Sequence, residues 1–180
     1  MKQYIDYSNH LIAIQNISVL PLDICNIIAK YVINKDEIDT HFMAAVDAGH
    51  FLCIKFIHKA DANICEWNTF ALGKAAEHGH LNVVKYILFH TKCCDIIDAF
   101  LSACLNGHLD VVIYLNNANP KCFLENRQAA YYAAVGGNLE VIEYLHKEGA
   151  DMSYAVDAAY SQNHDSILEY LWNNGIDTYT

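Results

Sequence analysis

The sequence is poor in positive charge and in residues that interrupt regular structure. Its 180 residues contain two prolines, eight glycines and 11 Lys and Arg against 21 Asp and Glu. Few prolines and glycines leave little room for long loops. The net charge of −10 disfavours binding to nucleic acid or to an anionic membrane surface. No apolar run reaches the length of about 18 residues that a membrane span requires.

The chain also lacks the marks of a secreted or disordered protein. Its seven cysteines are odd in number and contain no C-x-x-C motif, so we expect free thiols in a reducing compartment, the cytoplasm. The first residues show no cationic segment leading into an apolar stretch, so no secretory signal is expected. Apolar types make up 54% of the chain, which is enough for a sizeable core.

A pattern of 13 residues occurs five times, and it is the most informative feature of the sequence. The first residues of successive copies lie 30, 28, 30 and 26 positions apart, and the copies span residues 45–57, 75–87, 103–115, 133–145 and 159–171. Each copy predicts a short helix that ends at a glycine, a two-residue turn and a second amphipathic helix. The fifth copy has Asn163 in place of the glycine, and asparagine is the next residue to tolerate the left-handed conformation.

Two short helices cannot bury their apolar faces alone, so the repeats are expected to stack into one continuous core. The pattern resembles the ankyrin repeat, whose core reads A-A-x-x-G-H-L-x-V-V-x-x-L, and the resemblance covers residues 40–180. The T-P-L-H segment of that family is absent, with only Thr40 keeping its first position. Short periods of this kind resemble the divergent ankyrin proteins of giant DNA viruses of the mimivirus type.

The resemblance implies an all-α, ankyrin-like α-solenoid of stacked helix-turn-helix repeats. Because the spacings fall short of the usual period of about 33, we expect short inter-repeat loops instead of β-hairpin fingers. An N-terminal segment of residues 1–39, with a capping helix at about 20–33, is expected to precede five degenerate repeats within 40–180. The expected repeats are about 40–69, 70–97, 98–127, 128–153 and 154–180.

The resemblance further implies a non-catalytic protein–protein interaction module, with a partner protein, possibly of a host, on the concave surface of a monomer. The face of each first helix that points away from the second helix is expected to line that surface. Acidic C-terminal repeats would favour a basic patch on the partner. The candidate partner-binding residues are Asp47, Lys74, Glu77, His78, Ser102, Asn106, Tyr132, Ser161 and Gln162.

The histidines and cysteines favour structural roles, and we expect no catalytic, metal or cofactor site. His50, His80, His108 and His164 share one repeat position. Adjacent helices lie about 8–10 Å apart, which is too far for two of these rings to share a zinc ion. Aligned cysteines fall on expected core positions, without a neighbouring base.

A row of aromatic residues shares one position on the second helices, and we expect it to pack between repeats on the convex side. The row consists of Phe56, Tyr86, Tyr114, Tyr144 and Tyr170. Their hydroxyl groups are expected to lie near water.

The N-terminal segment allows two interpretations. Residues 20–32 form an amphipathic pattern with a proline at its start, which is typical of a helix that could cap the first repeat. The same residues, Leu20, Pro21, Asp23, Ile24 and Ile27, resemble the opening of an F-box. That resemblance implies a substrate adaptor of a cullin ubiquitin ligase as the alternative function.

Overall fold

A computed structural model describes residues 38–60, 68–91, 96–119 and 128–176. The chain divides into two compact units, Met1–Ala71 and Leu72–Thr180, and each is described by itself. Throughout these described ranges, regular structure is helical and contains no strand. The capping helix expected at about 20–33 lies outside the described residues.

The helices occur in pairs, a first and a second helix joined by a tight turn. The first helices are α1 (Ile38–Asp47), α3 (Asn68–Glu77), α5 (Ile97–Asn106), α7 (Gln128–Val135) and α9 (Ala155–Gln162). The second helices are α2 (Phe51–Ala60), α4 (Leu81–His90), α6 (Leu109–Ala118), α8 (Leu139–Lys147) and α10 (Asp165–Asn173).

In the first unit, α1 packs against α2. The apolar stripe of each helix faces the other, because its residues recur at the three- and four-residue spacing of a helix. The buried side chains between them are Phe42, Ala45, Val46, Cys53, Ile54 and Ile57.

In the second unit, helices of each kind stack in chain order. The first helices α5, α7 and α9 contact one another in succession, as do the second helices α4, α6, α8 and α10. Within a repeat, α5 packs on α6, α7 on α8 and α9 on α10. This is the ankyrin-like α-solenoid of helix-turn-helix repeats that the sequence predicts.

Small residues bring the first helices together. Ala129, Ala130, Ala133 and Ala134 of α7 are fully buried, and α7 packs against both α5 and α9. At Gly136, a Cβ atom would collide with a backbone carbonyl oxygen of the preceding repeat. Helices can approach so closely only where the side chains between them are small.

The turns confirm the role predicted for the glycines and for Asn163. Gly79, Gly107 and Gly137 have φ values of +71°, +76° and +74°, and Asn163 has a φ of 58°. The residue that follows each of these four donates its backbone N–H to an oxygen of the first helix, as His164 does to the Ala159 oxygen at 2.9 Å. That bond satisfies a carbonyl oxygen that the helix end would otherwise leave unpaired.

The connection at 148–154 is a short loop, as expected. Asp151 accepts the backbone N–H of Ser153 through Oδ1 at 2.9 Å, and the oxygen of Met152 accepts the N–H of Ala155 at 2.9 Å. Ala150 and Met152 are buried, so the loop packs against the repeats. The repeat boundaries given above stay a prediction.

Candidate protein-binding face

The residues predicted to contact a partner are all exposed or half-buried. We call those on α3, α5, α7 and α9 the first-helix face: Lys74, Glu77, His78, Ser102, Asn106, Tyr132, Ser161 and Gln162. Asp47 is exposed at the end of α1 in the first unit. Adjacent alanines on the same helices, such as Ala75 and Ala133, are fully buried. In α3, α5, α7 and α9, a buried stripe that includes two alanines is therefore combined with an accessible stripe whose residues differ between repeats.

Opposite charges on α3 neutralise each other. Lys74 Nζ lies 2.8 Å from Glu77 Oε2, one helical turn away. The hydrogen bond from Lys74, together with the positive charges of Lys74 and His78, lowers the pKa of the Glu77 carboxyl. Glu77 is therefore ionised at neutral pH and held toward its own helix.

On α5, α7 and α9 the first-helix face has no charged residue, and the side chains of Asn106, Ser161 and Gln162 bond within their own helices. Asn106 Nδ2 donates to the oxygen of Ser102 at 2.9 Å, and Ser161 Oγ donates to the oxygen of Ala158 at 2.8 Å. Gln162 Nε2 lies 3.5 Å from Ser161 Oγ. These bonds hold short polar side chains of α5 and α9 against their own helices.

Two tyrosines lie side by side on α7, between these polar stretches. The rings of Tyr131 and Tyr132 meet edge to face, with centroids 5.5 Å apart and planes at 81°. Tyr131 is 42% exposed and Tyr132 is half-buried. Tyrosine offers a large rigid surface with a polar end, which suits contact with a protein. Tyr132 is among the residues predicted from the sequence, and Tyr131 is not.

Much of the acidic charge of the C-terminal repeats lies elsewhere. Asp110, Glu140, Glu143, Asp165 and Glu169 are exposed on the second helices. The predicted residues on α5, α7 and α9 carry no charge. Charge alone therefore gives the first-helix face little preference for a basic partner.

Polar side chains at the turns join neighbouring repeats, and we call them the turn ladder: His108, Asn138 and His164. His108 Nε2 lies 2.9 Å from the oxygen of Glu77, and His164 Nε2 lies 3.1 Å from the oxygen of Val135. Since a carbonyl oxygen only accepts, each Nε2 carries the hydrogen. Asn138 Nδ2 donates to the oxygens of Cys104 and Leu105 at 2.9 and 2.8 Å.

The tyrosines of the second helices form another connection, which we call the tyrosine ladder. Asn116 Nδ2 donates to the Tyr144 hydroxyl at 2.7 Å, and His146 Nδ1 lies 3.0 Å from the Tyr170 hydroxyl. Lys85 Nζ lies 5.3 Å from the Tyr114 ring centroid. The expectation that these hydroxyls simply lie near water is incomplete, since two of them bond to a polar side chain of the preceding repeat.

Burial alters the chemistry of several groups. It raises the pKa of the Tyr144 and Tyr170 hydroxyls and that of the Cys104 thiol. Cys53 and Cys104 are buried and form no disulfide, and a cysteine packed in a core in this way is unreactive. Among the residues that the structure describes, no group of three or more His, Cys, Asp or Glu could hold a metal ion.

None of the described helices is both long and apolar enough to span a membrane. The F-box-like residues Leu20, Pro21, Asp23, Ile24 and Ile27 lie outside the described part of the chain. Their predicted role is therefore based on sequence alone.

Comparisons with known proteins agree with this geometry. The sequence matches the family model of ankyrin repeats, in three copies, over residues 11–98 and 100–180. It is 28% identical over 157 residues to an ankyrin repeat and KH domain-containing protein of Caenorhabditis elegans, and the aligned region covers 80% of this chain and 6% of that protein. It is 38% identical over 95 residues to a putative ankyrin repeat protein of Acanthamoeba polyphaga mimivirus, and the aligned region covers 47% of this chain and 16% of that protein. The chain thus spans a small part of each relative.

Proposed function

Because the chain belongs to the ankyrin-repeat family, whose members generally mediate protein–protein interaction, we propose that it binds a partner protein through the first-helix face. The observation that carries the proposal is the contrast between the two stripes of each first helix. Two buried positions of α3, α5, α7 and α9 carry alanine in every one of these repeats, whereas exposed positions differ between repeats. A common scaffold requires constant buried positions, and recognition of one particular partner requires exposed positions that differ.

The chemistry of the face indicates how binding would proceed. Tyr131 and Tyr132 provide aromatic contact area at the centre, and Ser102 and Asn106 lie on the preceding first helix, α5. With the Lys74–Glu77 pair already satisfied, few charges would have to lose water on binding. Shape and hydrogen bonding therefore dominate over long-range attraction in the proposed complex.

Site-specific photo-crosslinking tests this proposal. A photoreactive amino acid replaces Tyr132 or Asn106 on the first-helix face, or Glu140 on a second helix as the exposed control. We expect a partner from cell lysate to crosslink from the first two positions and to escape from the third. Tyr132→Ala should reduce capture of that partner while leaving the thermal melt unchanged. Equal crosslinking from Glu140 would contradict the proposal.

An adaptor function remains the second candidate, on the strength of the F-box-like sequence at residues 20–32. In that case this segment recruits a cullin ligase through its Skp subunit, and the repeats hold the substrate. Pull-down of wild type beside a Leu20→Asp, Ile24→Asp variant distinguishes the two. Skp and cullin subunits that appear with wild type and vanish with the variant support the adaptor, and their absence from both rejects it.

We further propose that the protein acts as a monomer in a cytoplasm, that of a host cell if the protein is viral. Cys53 and Cys104 are buried and form no disulfide, which suits a reducing compartment, and one relative comes from a mimivirus. Light scattering of the purified chain tests the monomer, and fluorescence microscopy of the tagged chain tests the location.

A further inference from the structure

Two tyrosines on α7 present an angled aromatic surface between α5 and α9. The rings of Tyr131 and Tyr132 have centroids 5.5 Å apart and planes at 81°. Tyr131 is 42% exposed, and Tyr132 is half-buried. An edge-to-face contact is a favourable arrangement of two aromatic rings, so each ring holds the other in place. We call these two residues the α7 tyrosine pair.

The close approach of α5 and α7 determines what lies beside Tyr132. A Cβ atom on Gly136 would collide with the backbone oxygen of Leu105, so the ends of the two helices touch there. Gly136 donates its N–H to the oxygen of Tyr132, one helical turn earlier. On α5, Asn106 likewise bonds to the oxygen of Ser102 one turn earlier. Because α5 and α7 pack against each other and end near this contact, Ser102 is the residue of α5 beside Tyr132.

Small residues surround the α7 tyrosine pair on the first helices. The position aligned with Tyr132 holds Ser102 on α5 and Ala158 on α9, and Ala158 is buried. Gly136, one turn after Tyr132, is exposed and has no side chain. The tyrosine ring is therefore much larger than its neighbours at these positions, and it offers a ligand an aromatic wall beside a shallow floor.

The surface beside the α7 tyrosine pair offers hydrogen bonds and little charge. Asn106 donates one amide N–H to the oxygen of Ser102, and its second N–H and its Oδ1 atom can bond to a ligand. Tyrosine hydroxyls can donate as well as accept. The first-helix face on α5, α7 and α9 carries no charged residue, so a charged segment would lose water there without gaining an ion pair. These groups favour an uncharged ligand with hydrogen-bond acceptors.

We propose that the α7 tyrosine pair and Asn106 bind an uncharged, proline-rich segment of the partner protein in the polyproline II conformation. This inference rests on the proposed function of the first-helix face. A segment in this conformation has no internal hydrogen bonds, so its carbonyl oxygens can accept from Asn106 and from the tyrosine hydroxyls. Its proline rings pack against aromatic side chains, which is how aromatic-lined surfaces recognise such segments.

The low entropy cost of binding distinguishes proline from other apolar residues as the ligand. A proline-rich segment is already extended before it binds, so it loses little conformational freedom in the complex. The aromatic surface here consists of two partly exposed rings, which is a small contact area. A small contact area suits a ligand that requires little ordering.

Fluorescence anisotropy with the purified chain and a labelled peptide tests this proposal. The probe contains about eight prolines, which form a polyproline II helix, and a control peptide carries alanine in their place. We expect the proline peptide to bind about fivefold more tightly or better, since alanine lacks the ring that packs on tyrosine. A third peptide has arginine at every second position, because Asp157 on α9 aligns with Tyr131 and is exposed.

Alanine substitutions identify the tyrosines that carry the binding. Tyr131→Ala and Tyr132→Ala should each weaken binding of the proline peptide by about fivefold or more. Tyr160→Ala is the matched control, because Tyr160 is an exposed tyrosine of α9 that aligns with the buried Ala134 and lies off the first-helix face. It should weaken binding by less than about twofold. Unchanged thermal melts show that the three variants are folded.

Several results would overturn the proposal. These are equal binding of the proline and alanine peptides, no binding by wild type, and equal losses from Tyr131→Ala and Tyr160→Ala. Tighter binding of the arginine peptide that depends on the α7 tyrosine pair would replace proline with a cationic ligand. If a lysate partner still crosslinks from Tyr132, such a failure concerns the proline-rich segment alone and the proposed function stands. If that crosslink is absent as well, both proposals are wrong.

Discussion

The imidazole ring of His164 lies against the α-carbon of Gly137, so close that a Cβ atom there would come within 2.7 Å of the ring. The same histidine donates to the oxygen of Val135. Gly137 also has a φ of +74°. Glycine is thus required at this position for two reasons: the backbone is left-handed, and the His164 ring of the next repeat packs where a Cβ atom would be.

Alanine substitutions at two glycines of the fourth repeat separate these requirements. Gly149 has a φ of +84° and nothing within 4 Å of an added Cβ atom, so Gly149→Ala should cost about 1–2 kcal/mol of backbone strain alone. Gly137→Ala should cost about 1 kcal/mol more, since it also displaces His164 and its hydrogen bond. Urea denaturation of both variants measures the difference. Equal losses would mean that the ring moves aside freely.

Another pair of variants compares a buried and an exposed residue at one repeat position. Ala134 is fully buried between neighbouring first helices, and Tyr160 is 74% exposed. Ala134→Leu should destabilise by about 1–3 kcal/mol through overpacking, whereas Tyr160→Ala should change stability by less than about 0.5 kcal/mol. Thermal and urea melts test both. No loss at Ala134 would mean that the alignment of the repeats is wrong.

The Asn116–Tyr144 pair should show strong coupling. Asn116 is buried, and its Oδ1 atom has no hydrogen-bond partner among the described residues. Tyr144→Phe leaves the amide of buried Asn116 unpaired, and Asn116→Leu removes the partner of the half-buried Tyr144 hydroxyl. Each change alone should cost about 1–2 kcal/mol. The double variant should cost less than the sum, because it removes both groups. A double-mutant cycle by urea denaturation gives the coupling, and additive losses would mean that the contact between Asn116 and Tyr144 contributes no energy of its own.

Alkaline pH should weaken the fold through the tyrosine ladder. Burial raises the pKa of the Tyr144 and Tyr170 hydroxyls above the ordinary value of 10.0. Unfolded tyrosines therefore ionise first, and the stability that these groups contribute is complete below pH 10 and is lost as pH rises.

Urea midpoints at about pH 9 and about pH 11 measure this loss. Between these two pH values, the urea midpoint of the double variant Tyr144→Phe, Tyr170→Phe should fall by less than the midpoint of wild type. Because other groups also titrate in this range, the comparison with wild type is the informative quantity. A variant that loses as much as wild type would contradict the contribution of these two hydroxyls.

The sequence predicted those features that depend on residues within one repeat. Gly107 and Asn163 indicate helix ends because the left-handed conformation is a local property. Buried alanines such as Ala103 follow from periodicity for the same reason.

Features that join two repeats were harder to predict. His108 and Asn138 bond to backbone oxygens. Because every residue has a backbone oxygen, the sequence indicates a structural role for these two side chains but not which oxygen accepts the bond. The pairing of Asn116 with Tyr144 likewise depends on how α6 and α8 stack. Tyr131 was missed because the candidate positions were chosen by alignment, and other repeats have Gly73 and Leu101 at that position.

The turn ladder and the tyrosine ladder require different residues in a neighbouring repeat. The turn ladder binds backbone oxygens and needs only a glycine beneath it, so it accepts any repeat as a neighbour. The tyrosine ladder uses a different side-chain pair at each junction: Lys85 with Tyr114, Asn116 with Tyr144 and His146 with Tyr170. Duplication or exchange of whole repeats during evolution would therefore preserve the first ladder at once, while the second records the order in which the repeats now stand.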